Sequence, residues 1–181
     1  MSKKDEELKY AEFFIDRLNH QYGLDYKATS NEKEERLDAE IDVYAMSKKF
    51  PTLNLQIRTR EKILKEIFAN LYKQAKNTGQ KAVMGPVINM NTKKWITEAI
   101  TAKEHKYPLE VKQNLVLLII GDIGALFNKD YARRIFANFS NSDFKGIYSV
   151  HLPSSPGESS HSHNGQIIAI KDIFNNHGAE I

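Results

Sequence analysis

Asp38–Arg58 reads DAEIDVYAMSKKFPTLNLQIR. Side chains on a strand alternate between two faces, so residues two apart share one. Ala39, Ile41, Val43 and Ala45 make one apolar set, with Glu40, Asp42 and Tyr44 opposite. Leu53, Leu55 and Ile57 make another, with Asn54, Gln56 and Arg58 opposite. The pattern predicts two antiparallel strands centred near Lys49. In that register Asp42 faces Gln56 and Glu40 faces Arg58, and both apolar sets fall on one side of the sheet.

Upstream, Leu8, Ala11, Phe14, Ile15 and Leu18 recur at helical spacing. They predict a helix over Lys4–Tyr22, with Asp5 and Glu6 suited to the dipole of its first turn and Gly23 as its stop. Asp25–Thr29 is a candidate short strand, and SNEKEER at Ser30–Arg36 a polar connection.

Downstream, Ile63, Leu64, Ile67, Phe68, Leu71 and Tyr72 predict a helix over Arg60–Lys76. Gly79–Asn91 contains Gly85-Pro86, which breaks regular structure. Trp95, Ile96, Ala99, Ile100 and Ala102 predict a helix over Thr92–Lys106. LVLLII at Leu115–Ile120 is uninterrupted and apolar, as in a strand buried on both faces at the centre of a sheet. A short helix is expected over Lys129–Phe139. GIYSVHL (Gly146–Leu152) and QIIAI (Gln166–Ile170) read as strands joined by a loop, PSSPGESSHSHNG. The order predicts one α/β domain over residues 1–181. It is a three-layer sandwich with a central mixed sheet, whose first three strands form a meander and whose central strand is added beside them.

A carboxylate on one strand, then an acid or amide and a cation two residues apart on the next, resembles the core of the PD-(D/E)XK, or restriction-endonuclease-like, nucleases. The matching residues are Asp42, then Gln56 and Arg58, which stand as Gln-X-Arg in place of (D/E)XK. The element order resembles that family's αβββαβ core, here with added C-terminal strands. The resemblance implies metal-dependent hydrolysis of phosphodiester bonds, in DNA rather than RNA. It implies Mg²⁺ or Mn²⁺ held by Asp42 and Gln56, with Arg58 stabilising phosphate charge. It also implies an auxiliary acid from the first helix: Glu12, roughly 40° round from Leu8, or Glu7. Lys48, Lys49 and Arg60 are candidate nucleic-acid contacts. The alternative is a domain of this fold without catalysis that binds nucleic acid or a protein. Both strands also suit polar residues on a solvated sheet face, and Arg58 an ion pair with Glu40.

Chemistry bounds these readings. Mg²⁺ takes oxygen ligands and makes bound water nucleophilic. Arginine binds phosphate through two parallel bonds but does not give up its proton, so Arg58 stabilises charge and is no general base. The 181 residues include no cysteine, which excludes thiolate metal sites and cysteine nucleophiles. A net charge of +3 permits nucleic-acid binding without demanding it. No apolar run is long enough to span a bilayer, and the first residues lack the apolar core of a secretion signal. A cytoplasmic protein is expected, and a homodimer is compatible with cutting two strands. His161 and His163 suit a solvated loop better than a metal site, having no third ligand nearby. No phosphate-cradling glycine loop and no serine-hydrolase framing is present.

Overall fold

Ser2 and Asp5 cap each other. The Ser2 hydroxyl accepts from the Asp5 N–H at 3.2 Å and the Asp5 carboxylate from the Ser2 N–H at 2.8 Å. This reciprocal cap starts α1 (Lys3–Tyr22) in a computed structural model of the chain. The structure describes residues 2–31, 41–59, 77, 92–120, 129–152 and 165–174. Gly23, at φ 65°, ends α1 in the left-handed conformation that favours glycine. The Asn19 amide then holds the Tyr26 backbone at 2.8 and 3.0 Å and turns the chain into β1 (Lys27–Ser30).

Among the described residues the sheet has six strands in the order β1-β2-β3-β4-β5-β6. β1, β2 (Val43–Met46) and β3 (Leu53–Thr59) form an antiparallel meander in which Tyr44 pairs with Asn54, the register centred on Lys49. β4 (Leu115–Ile120) lies parallel to β3, β5 (Gly146–His151) parallel to β4, and β6 (Gln166–Lys171) antiparallel to β5. α2 (Thr92–Lys106), α3 (Leu109–Lys112) and α4 (Lys129–Ile135) complete the described helices, with a 3₁₀ turn at Ala137–Phe139.

Two apolar clusters share the sheet. On one face Ala11, Phe14, Ile15 and Leu18 of α1 pack on Val43, Leu55, Ile57, Val116 and Tyr148. On the other, Trp95, Ile96 and Ile100 of α2 pack with Ala132 and Phe136 on Leu117, Ile119, Ile147 and Ile168. β4 alternates between them and is buried throughout, which is why its sequence shows no polar face. The architecture is α/β, a mixed sheet with helices on both faces, as expected.

Four details differ from the sequence reading. β2 begins at Val43, not Ala39, and Ile41 packs in the α2 cluster while Val43 packs against α1. The cause is a bulge: the Asp42 N–H donates to the Leu55 carbonyl at 2.9 Å although Leu55 pairs with Val43, so two residues oppose one and the alternation resets. β1 starts two residues later than expected. The helix at Lys129 stops at Ile135, and Ala102 is exposed. The expected helix over Arg60–Lys76, the Gly79–Asn91 stretch, and the loop with His161 and His163 lie outside the described residues. Among the described residues no helix is long and apolar enough to cross a membrane.

Candidate functional site

Asp42 stands just before β2, and Gln56 and Arg58 lie in the second half of β3. Asp42 is half-buried, and its Oδ2 accepts from the Ile57 N–H at 2.6 Å. The carboxylate therefore stands against the β3 backbone where a ladder carbonyl would otherwise be. That bond needs the bulge, which frees this edge of β3 from regular pairing. Gln56 is 5% exposed and points into the α2 layer. Arg58, two residues on, is half-buried on the same face, beside Ile119 of β4.

A buried hydrogen-bonded group from α2 completes this corner. The Gln56 Nε2 donates to the Tyr107 hydroxyl at 2.7 Å, and the Lys103 Nζ donates to the same oxygen at 3.2 Å. Lys103 is 6% exposed, and its ammonium also lies 5.2 Å from the Tyr107 ring centre. The exposed Lys106 stands over the same ring at 5.1 Å. Lys103 lies about 6 Å back along the helix from Tyr107, which meets Gln56. Lys103 is not singled out by the sequence reading. Its i, i+4 spacing from Tyr107 was the available signal.

Of the two acids expected from the first helix, Glu7 is buried and Glu12 exposed. Glu12 is exposed, and α1 covers the sheet face opposite Gln56. Glu7 is 6% exposed and pairs with Lys3 at 3.6 Å. The end of α1 is fixed near the start of β3, where the Tyr26 hydroxyl donates to the Pro51 carbonyl. Glu7 lies about 22 Å back along the helix axis from that end. Glu12 is thus a surface residue, because the buried stripe passes through Glu7 and Ala11.

Lys48 and Lys49 are exposed in the β2–β3 connection, at the other end of β3 from Arg58, about 20 Å away. They do not join Arg58 on one surface. Arg60 and Glu40 lie outside the described residues.

A second polar row crosses the same face. Ser149 pairs in register with Ile168, and His151 with Gln166. Ser149 is 1% exposed, and its hydroxyl and the Gln166 Nε2 have no hydrogen-bond partner among the described residues. The sequence reading missed these residues, since alternation inside a strand buried on both faces carries no signal.

Among the described residues no three of His, Cys, Asp and Glu cluster. The candidate donors are the Asp42 carboxylate, the Gln56 amide oxygen and backbone carbonyls. Mg²⁺ commonly takes one or two carboxylates with waters and substrate phosphate, so this donor set fits such an ion while holding it weakly without substrate. No family model, curated protein or solved structure matches the chain.

Proposed function

We propose that the chain is a metal-dependent nuclease of the restriction-endonuclease-like fold, cytoplasmic and acting on DNA. The observation that carries this reading is the Asp42 carboxylate set against β3 beside Gln56 and Arg58. The meander followed by a parallel strand supports it. Asp42 and the Gln56 carbonyl oxygen would hold Mg²⁺ or Mn²⁺, which supplies a nucleophilic water and offsets phosphate charge. Arg58 takes two non-bridging phosphate oxygens and stabilises the charge that builds on them. Tyr107, held by Lys103, fixes the amide of Gln56 so that its oxygen keeps one direction. Lys103 adds positive potential where the phosphate sits. A paired arrangement of two copies would cut both strands.

Plasmid nicking with Mg²⁺ or Mn²⁺ tests the reading. Wild type should nick, and Asp42→Asn should not while keeping its melting temperature. A folded wild-type protein that cuts neither duplex nor single-stranded DNA with either ion overturns it.

A second reading has its own support. Gln56 stands where an acid is usual, and its amide is engaged with Tyr107. On that reading the corner binds DNA without cutting it, and DNA affinity survives in the absence of nicking.

A further inference from the structure

The two edges of the sheet are built differently. β1 has four residues, KATS, with Lys27 and Thr29 exposed. Short, polar, lysine-bearing edges resist pairing. β6 has six, QIIAIK, and its central four are apolar. The one charge in it, Lys171, is turned inward, its Nζ donating to the Ser142 carbonyl at 2.5 Å. Nothing among the described residues pairs with the outer side of β6. Alternate residues of an antiparallel strand turn their N–H and C=O to each side, so roughly three of them face outward here.

A groove follows that edge. A cavity of about 220 Å³ on the α1 side is lined by Gln21, Tyr22 and Ile167. Another of about 340 Å³ on the opposite side is lined by Ala137, Ser140 and Lys171. Arg133, Ala169 and Asp172 line both, so the cavities meet beside the middle of the strand. A seventh strand laid on β6 would send alternate side chains to the two sides, one set into each cavity.

Charge selects the occupant. The Arg133 side chain is 61% exposed and only loosely paired with Asp130, at 3.9 Å. Asp172 is directed inward: its oxygens accept from the Tyr22 and Tyr148 hydroxyls and the Phe174 N–H. The groove thus offers a cation at its centre. A second copy pairing β6 with β6 about the strand centre would bring two Arg133 guanidinium groups together, which like charge opposes. Nucleic acid cannot continue a peptide ladder. We propose that the outer edge of β6 docks an extended peptide of another protein, which adds as a strand and sets a carboxylate on Arg133. This holds whether or not the chain cuts DNA.

The test is selection of the full-length protein against a displayed library of short random peptides, then anisotropy on labelled winners. Winners should alternate β-branched residues around an Asp or Glu. Exchanging that acid for Lys should weaken binding about tenfold. Arg133→Glu should reverse the preference and leave the melting temperature unchanged. N-methylation of alternate peptide amides should abolish binding. Three outcomes overturn the proposal: no enrichment on folded protein, binding indifferent to N-methylation or to Arg133, or sedimentation showing a dimer that Arg133→Glu disrupts. Displacement of the peptide by an oligonucleotide also overturns it.

Discussion

The Gln56 amide nitrogen lies 2.7 Å from the Tyr107 hydroxyl, tying the middle of β3 to the residue just past α2. The contact is buried and joins positions 51 residues apart. It therefore links stability to the geometry of the candidate site.

Tyr107→Phe removes an acceptor used by both Gln56 and Lys103. Stranding buried donors costs about 1–3 kcal/mol, partly offset by what else these side chains contact. Urea melts should show a loss in that range. If the amide orients the site, nicking should fall further than the folded fraction accounts for.

Asp42→Asn and Asp42→Ala should separate. Asparagine keeps an oxygen for the Ile57 N–H, whereas alanine leaves that buried donor unpaired. Asp42→Ala should lose about 1–3 kcal/mol and Asp42→Asn much less, by denaturant unfolding. Both should abolish metal-dependent cleavage.

Lys103→Met keeps the buried stem and removes the ammonium. Fold stability should change little or rise, because an apolar isostere replaces a desolvated charge. DNA affinity should drop and show a shallower salt dependence, read by titration at several ionic strengths.

Burial, helped by the Asp172 carboxylate, pushes the Tyr22 phenol from 10.0 up to about 12. The same causes raise Tyr148 further. The folded state thus holds these protons more tightly than the unfolded chain. The Tyr22 contribution is complete below pH 10.0 and is lost as pH rises through about 12, and the loss from Tyr148 continues above that. Melting temperature should fall across that window, and Tyr22→Phe should flatten the slope.

Gly146 opens β5 against Ile173 and the Tyr148 ring, and a Cβ there would collide with the Ile173 side chain. Gly146→Ala should cost about 1–3 kcal/mol by overpacking. Adding Ile173→Ala should recover part of it in a double-mutant cycle.

The sequence made the elements legible where periodicity was clean. Leu115–Ile120 and Thr92–Lys106 match the observed strand and helix, and Tyr44 opposite Asn54 reproduces the Lys49-centred register. The bulge at Asp42 was hidden, because DAEIDVYA alternates without a break and only the ladder shows that Ile41 changes side. Glu12 misled because it lies beside the apolar stripe of α1, while Glu7 lies in it. Lys103 was obscured for a different reason. A lysine on a helix ordinarily faces water, and the hydroxyl of Tyr107 across from Gln56 helps to make a buried position tolerable.

The pairing of β3 with β4 joins Asn54 to Leu115, whereas Tyr44 reaches Asn54 across a short turn. Closing long stretches of chain is entropically slow, and local hairpins form much faster. The meander and α1 can therefore assemble while later residues are still being synthesised. The uninterrupted apolar strand at Leu115 must find its slot later, and until it does its two greasy faces are what a chaperone would grip.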